Sequence, residues 1–291
     1  MSNTLIEGML TRIKDNPRIA LAIEGHAGFG KSHIVEKWAE KNNLPIVKLL
    51  ASTLSEEDIA GVIVANHEKK TGEYYSLGLL DTVLKEPAVL FLDELNTASK
   101  DTADALLTLI ESRHLPDGTP LHKDTVIVAA MNPAIAYNNY ELSPAMRNRF
   151  AWVNWTQTAK QWWKSFGGEI DAADEVVVMI DRLIHESGLE FTDDKGFTSD
   201  SNTFTTPRSL TRLMQFSTTV EDMKMFAPSF IGKEASALID AYKEVDVDIR
   251  GNAFFKREKV ATKRQPANQP TNGVRMTSLH ERISQRIEDR L

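Results

Sequence analysis

The chain has 291 residues and a mass of 32.6 kDa, and with 42% hydrophobic and 26% charged residues it has the composition of a folded globular protein, not of a disordered or repetitive one. It contains no cysteine, which excludes disulfide scaffolds, thiolate zinc sites, iron–sulfur clusters and cysteine nucleophiles. The net charge is −7, yet residues 249–291 hold ten Lys or Arg against four Asp or Glu, so an acidic body precedes a basic tail.

No segment approaches the roughly 18 to 20 apolar residues that a membrane-spanning helix needs. The N-terminal residues also lack the basic and then apolar order of a signal peptide. We therefore expect a cytoplasmic protein that does not contact a membrane.

The pattern of apolar residues predicts an α/β fold with a parallel sheet. A first helix is expected near the N-terminus, where Thr4 and Glu7 have the spacing of a capping box. Short apolar runs predict buried strands at residues 19–23, 45–50, 88–92, 125–130 and 150–155. Helical segments such as 101–111 separate them, which is typical of a parallel sheet covered on both faces. Residues 61–75 instead predict an inserted β-hairpin.

Beyond residue 155 the apolar pattern becomes helical. Helices are predicted over residues 170–183, from Pro207 onward and over residues 233–243. We therefore expect an α/β core over residues 1–156, a small helical lid domain over 157–248 and a basic tail over 249–291. The tail contains a polar linker at residues 261–274 and ends in an amphipathic helix that begins at Ser278.

Residues 25–32, with the sequence GHAGFGKS, match the phosphate-binding pattern G-x-x-x-x-G-K-[ST] between a predicted strand and a predicted helix. The glycines allow backbone N–H groups to converge on phosphate oxygens at a helix N-terminus. We expect Lys31 to reach the β- and γ-phosphates and the Ser32 hydroxyl to bind Mg²⁺. The predicted nucleotide-binding residues are Gly25, Gly28, Phe29, Gly30, Lys31, Ser32 and His33.

Two adjacent carboxylates, Asp93 and Glu94, follow the apolar residues 89–92. A phosphate site needs a second anchor for the metal ion and a group that activates water. We expect Asp93 to orient the Mg²⁺ shell and Glu94 to polarise the attacking water.

At this point the sequence resembles the AAA+ ATPases. Residues 125–133 resemble the sensor-1 strand, whose Asn, here Asn132, helps to position the lytic water. Residues 142–150 resemble the segment that carries the arginine finger, which would make Arg149 the finger, although Asn148 replaces the usual Asp and Arg147 is an alternative. Thr206-Pro207-Arg208 resembles the sensor-2 motif, which implies a γ-phosphate contact for Arg208.

Residues 93–98 resemble the D-E-I-N-R-A stretch of the MoxR branch, which is related to the dynein-related group. Thr97 stands where the family has Arg, so the role of that arginine cannot be transferred. The hairpin at residues 61–75 fits the helix-2 insert of this branch, and residues 113–125 fit its pre-sensor hairpin. The resemblance implies a ring, usually of six subunits, in which ATP lies between neighbours and Arg149 acts in trans.

The sequence therefore predicts a Mg²⁺-dependent ATPase that forms a homo-oligomeric ring and remodels or activates a partner protein. The preference for ATP over GTP rests on the resemblance alone. Two alternatives remain open. The first is a motor stimulated by nucleic acid, which the basic tail or the Lys69-Lys70 hairpin tip would bind. The second is an assembly module that binds nucleotide with little turnover.

Overall fold

The computed structural model describes residues 3–68, 70–75, 77–133, 142–192 and 203–242. The predicted tail, with its linker and terminal helix, lies outside the described residues, as does Lys69 at the predicted hairpin tip.

The strands coincide with the predicted apolar runs to within one residue at either end. Their bounds are β1 Ala20–Glu24, β2 Ile46–Leu50, β3 Val62–Asn66, β4 Thr71–Tyr75, β5 Val89–Asp93, β6 Val126–Met131 and β7 Phe150–Asn154. Five of them form a sheet in the order β2-β5-β6-β1-β7, and all its strand pairs are parallel. The predicted parallel α/β core is confirmed.

Alternate residues of the inner strands pack into two different apolar clusters, because successive side chains of a strand point to opposite faces. Ala22 and Leu92 lie on one face with residues of the helix at 100–112. Ile23 and Phe91 lie on the other face with residues of the helices at 3–15 and 31–41. Helices therefore cover both faces, which explains why the strands read as continuous apolar runs.

The helices are α1 Asn3–Asp15, α2 Lys31–Lys41, α3 Glu56–Ala60, α4 Asp81–Lys85, α5 Lys100–Ser112, α6 Pro144–Arg147, α7 Ala159–Phe166, α8 Asp174–His185, α9 Pro207–Phe216, α10 Val220–Phe230 and α11 Lys233–Ala241. Short 3-10 turns occupy Ala51–Thr53, Leu95–Thr97 and Gly167–Glu169. Helices α7 to α11 share a separate apolar cluster that includes Trp163, Ile180 and Leu213.

Three predicted helix boundaries were wrong. Helix α1 begins at Asn3, so Thr4 lies inside it and cannot be its N-cap. The helix predicted over residues 170–183 begins four residues later, because the 3-10 turn Gly167–Glu169 and an extended segment precede it, and it ends at His185. The last predicted helix ends at Ala241 instead of residue 243. Helices α7 and α10 were missed, although capping boxes start both.

Strands β3 and β4 form the predicted antiparallel hairpin, which is a separate two-stranded sheet. Residues 113–125 form a tight turn at Gly118 with an isolated bridge between His114 and Pro120, which is less regular than the hairpin predicted there. Within the described ranges, no helix is long and apolar enough to cross a membrane.

Candidate functional site

The phosphate loop and the two predicted catalytic strand ends lie at one edge of the sheet. Strands β1, β5 and β6 are neighbours and run in the same direction, so Glu24 pairs with Met131 while Leu92 pairs with Ala129. Ligands of open parallel sheets bind outside the carboxyl ends of the strands. The topology thus brings together three segments that are far apart in sequence.

The phosphate loop links β1 to α2, and its conformation depends on two glycines. Gly28 and Gly30 have φ angles of 80° and 85°, which side chains other than glycine rarely adopt. A Cβ atom on Gly28 would also lie 2.8 Å from Thr206 Oγ1. Gly30 is the N-cap of α2, so the N-terminus of that helix opens directly behind the loop.

Lys31 is 8% exposed and points back along the phosphate loop. Its ammonium donates to the carbonyl oxygens of Gly25 at 2.5 Å and His26 at 2.9 Å, and to Asn132 Oδ1 at 2.8 Å. Burial lowers the pKa of Lys31 from 10.5 to about 8, while the charge of Asp93 opposes this shift. Because the oxygens that accept its hydrogen bonds are neutral, an anionic ligand would stabilise the charge of this buried lysine.

Both oxygens of Asp93, the last residue of β5, are engaged. Its Oδ1 accepts from the backbone N–H of Glu94 at 3.1 Å, and its Oδ2 accepts from Ser32 Oγ at 2.8 Å. The structure therefore brings together the two residues that were predicted to hold the metal. A hydroxyl and a carboxylate are oxygen ligands of the kind that Mg²⁺ prefers, so this pair fits the ion.

Glu94 turns the chain sharply after β5 and lines one cavity together with Lys31, Ser32 and Asp93. Its φ angle of 55° is unusual for a residue with a side chain. Thr97 stabilises the turn, because its Oγ1 donates to the Glu94 carbonyl at 2.7 Å. Asn96 in the same turn donates from Nδ2 to the backbone oxygen of Asn132 at 2.7 Å. The Glu94 turn and the end of β6 are thus joined directly.

Arg208 lies in the first turn of α9, which packs against the phosphate loop. Pro207 starts this helix as predicted, and a capping box at Thr206 precedes it. The backbone N–H of Arg208 donates to the Gly28 carbonyl at 3.1 Å, and the Arg208 charge contributes to the lowered pKa of Lys31. The guanidinium is therefore close enough to the phosphate site to influence it.

A cavity of about 570 Å³ connects these groups, a volume within the roughly 300 to 1,000 Å³ that is usual for small-molecule sites. Of the predicted residues, its wall contains Gly28, Gly30, Lys31, Ser32, His33, Asp93, Glu94, Asn132 and Arg208. Gly25 and Phe29 are not in the wall. Phe29 is 5% exposed and its ring packs against Phe191, while its carbonyl accepts from Trp155 Nε1 and Gln157 Nε2.

Arg149 lies away from this cavity. Its guanidinium donates to Glu111 Oε2 at 2.6 Å and to the Ala145 carbonyl at 3.1 Å. Arg147 is more exposed, and its guanidinium carbon lies 4.8 Å from the centre of the Trp152 ring. Neither arginine lines the cavity of its own chain.

Several residues of the cavity wall were missed by the sequence reasoning. Lys48 on β2 contacts Asp93 and Glu36, and Gln157 follows β7. Phe166 reaches the wall from α7 and packs edge-on against His33, with the ring centres 5.2 Å apart. No local motif marks Lys48 or Phe166, because only the strand order and the packing of the helical segment bring them to the site.

Comparison with known proteins places the core in a family. Residues 20–150 match the model of the AAA domain of the dynein-related subfamily. No curated protein matches the sequence significantly. Among solved structures, a candidate ATPase from Cytophaga hutchinsonii shares 17% identity over 80% of this chain and 84% of that chain, with a TM-score of 0.42.

A point mutant of Thermotoga maritima RuvB shares 16% identity over 82% of this chain and 69% of that chain, with a TM-score of 0.49. A structure described as the Thermotoga maritima RuvB Holliday junction branch migration motor shares 16% identity with a TM-score of 0.46, over 82% of this chain and 67% of that chain. The family match includes the phosphate loop, Asp93, Glu94, Asn132 and Arg149. Residues 20–150 of this chain therefore form an AAA ATPase domain of the dynein-related subfamily.

Proposed function

We propose that the protein hydrolyses ATP with Mg²⁺ in a site completed by a neighbouring subunit, and that it uses the cycle to remodel or activate a partner protein. One observation carries the proposal: a single cavity is lined by Lys31, Ser32, Asp93, Glu94 and Asn132. Each of these residues is of the type that phosphoryl transfer to water requires.

Lys31 and Arg208 bind the phosphates in this proposal. The Lys31 ammonium exchanges its contacts with the Gly25 and His26 carbonyls for the β- and γ-phosphate oxygens. The N-terminus of α2 adds backbone N–H groups and a favourable dipole. Arg208 supports the γ-phosphate from the helical segment, so phosphate binding connects that segment to the core. This connection supports the predicted lid role of the helical segment.

Ser32 and Asp93 are the residues that would hold Mg²⁺. When bound, the ion neutralises charge on the β- and γ-phosphate oxygens. The hydrogen bond from Ser32 to Asp93 presents the hydroxyl oxygen while the carboxylate keeps its orientation. The Glu94 backbone N–H fixes the other carboxylate oxygen.

Glu94 accepts the proton of the attacking water, and Asn132 orients that water. The sharp turn at Glu94 carries its carboxylate into the cavity instead of along β5. Asn96 sets the distance between this turn and Asn132, because its side chain bonds to the Asn132 backbone oxygen. Asn132 also bonds to Lys31, so phosphate binding and water positioning share one contact.

Arg149 stabilises the transferring phosphoryl group of a neighbouring subunit. Its position outside its own cavity supports a role in trans, and the resemblance suggests a hexameric ring. Arg147 is the alternative finger.

The exposed apolar side chains of the β3–β4 hairpin, with Ile63 at 63% and Val64 at 47% exposed, support contact with a partner protein over contact with nucleic acid at this surface.

Complementation of two inactive variants tests the shared site. Lys31→Ala removes phosphate binding but keeps Arg149, whereas Arg149→Ala keeps the phosphate site but removes the finger. We expect each variant alone to be inactive and a mixture to regain ATP hydrolysis, with specific activity that rises with protein concentration. Arg147→Ala is the matched control and should remain active alone, because Arg149 and not Arg147 is the proposed finger. An active Arg149→Ala protein would contradict the role in trans.

A further inference from the structure

Lys48 is a cation in the wall of the nucleotide cavity that the mechanism above does not use. It lies on β2, directly beside β5, where it pairs in register with Phe91. The side chain is 43% exposed, so burial does not fix the position of its ammonium group. Contacts with neighbouring side chains hold the ammonium group at the site.

The Lys48 ammonium is shared by two carboxylates. Its Nζ donates to Glu36 Oε1 at 3.0 Å and lies 3.5 Å from Asp93 Oδ2. It also lies 5.6 Å from the centre of the Phe91 ring, which is within the range of a cation–π contact. The same Asp93 oxygen accepts the hydrogen bond from Ser32. Lys48 therefore supplies positive charge at the group that is proposed to orient Mg²⁺.

Without the Lys48 charge, the carboxylates of Glu36 and Asp93 and the hydroxyl of Ser32 would remain near the position of the ammonium group. Oxygen ligands of this kind attract divalent cations even without phosphate. In the part of the chain that the structure describes, no group of three or more acidic or imidazole side chains is arranged to hold a metal ion. The site thus has two carboxylates near the phosphate loop, and the Lys48 ammonium offsets their negative charge.

We propose that Lys48 is a specificity residue of the metal site: it is the counter-cation of Asp93 and Glu36, and it makes binding of a divalent cation depend on nucleotide. In the ligand-free protein its charge opposes a metal ion at Asp93. Once a nucleotide is bound, phosphate oxygens outweigh this repulsion. The inference deepens the proposed function, because it rests on the role of Asp93 at the metal site.

Electron paramagnetic resonance of Mn²⁺, an ion that prefers similar oxygen ligands, tests this directly on the purified chain without any assay of activity. Lys48→Met removes the charge and keeps most of the side-chain length. Even in a water-like dielectric, removing a unit charge several ångströms from a divalent ion changes its affinity by about tenfold. We therefore expect ligand-free Lys48→Met to bind Mn²⁺ about tenfold more tightly than the unmodified chain.

Three further variants make the result specific. Lys48→Arg keeps the charge and should behave like the unmodified chain. Lys37→Met is the matched control, since Lys37 is similarly exposed at 40% and pairs with Glu169 while lying 5.1 Å from the Phe166 ring centre. Asp93→Asn added to Lys48→Met should abolish the gain. Lys48→Gln serves as a second neutral variant if Lys48→Met does not fold.

Addition of ADP completes the test. We expect ADP to tighten Mn²⁺ binding strongly in the unmodified chain and less in Lys48→Met, because the variant already binds the ion. Equal Mn²⁺ affinity of the folded neutral variants and the unmodified chain would overturn the proposal. If the unmodified chain binds no ADP, the proposed function fails instead, while the ligand-free comparison still decides the role of Lys48.

Discussion

Nucleotide affinity should fall above pH 8, because Lys31 must carry a proton to bind phosphate. Burial lowers the pKa of Lys31 to about 8 in the ligand-free protein. A bound phosphate raises that pKa again, since an anion favours the charged form. If only the free protein deprotonates in this range, the Kd for ADP should be about tenfold larger at pH 9 than at pH 7, and about 30-fold larger at pH 9.5.

A fluorescent ADP analogue, titrated across this pH range, measures the effect. Calorimetry in buffers of different ionisation enthalpy should in parallel detect proton uptake on binding above pH 8. Lys31→Arg is the control, because arginine stays charged and its Kd should not follow this pH profile. An unchanged Kd up to about pH 9.5 without proton uptake would refute the reasoning, since Lys31 would then hold its proton throughout.

The same lowered pKa predicts the pH dependence of stability. Between about pH 8 and 10.5 the unfolded chain holds more protons at Lys31 than the folded one, so the contribution of this residue to the free energy of unfolding rises with pH. By pH 9 the gain should be about 1.4 kcal/mol relative to Lys31→Met. Urea denaturation of both proteins measures the difference, and a constant difference from pH 7 to 9 would contradict the assigned burial.

Gly28→Ala should lower the free energy of unfolding by about 1 to 2 kcal/mol and weaken nucleotide binding, because the new Cβ meets Thr206 at a φ that alanine avoids. Gly8→Ala in α1 is the control, because its new Cβ would meet nothing within 4 Å beyond the neighbouring backbone of its own helix, and it should stabilise the protein by about 1 kcal/mol. Thermal denaturation of both variants measures the two effects. Equal effects would contradict the loop geometry. Asn96→Ala should lower kcat about tenfold at unchanged KM for ATP, since it loosens the Glu94 turn without touching the phosphate loop. A changed KM with normal kcat would instead place Asn96 in substrate binding.

Local patterns were sufficient to predict the strands and the phosphate loop. Residues 25–32 carry their constraint in consecutive positions, so the spacing of Gly28, Gly30 and Lys31 is visible without a structure. Buried parallel strands likewise appear as apolar runs between helical segments. The metal pair Ser32 and Asp93 could be named because Ser32 ends the phosphate-binding motif and Asp93 ends an apolar strand.

Contacts that depend on the order of strands and the packing of helices could not be predicted. Lys48 reaches Asp93 only because β2 lies next to β5, and nothing in residues 46–50 indicates that neighbour. The ion pair of Arg149 with Glu111 joins residues 38 positions apart, one in the turn before β7 and the other in α5. Helix α7 has only 8 residues, so its apolar period was too short to recognise.

Trapping of ATP by Glu94→Gln, compared with Lys31→Ala, tests the central claim most directly. Both proteins are incubated with radiolabelled ATP and Mg²⁺, and bound nucleotide and released phosphate are measured in the same samples. We expect Glu94→Gln to retain ATP with turnover lowered about 100-fold or more, because the glutamine cannot accept the proton of water. Lys31→Ala should retain no ATP. Turnover by Glu94→Gln equal to that of the unmodified protein would contradict the assignment of this cavity as the hydrolytic site.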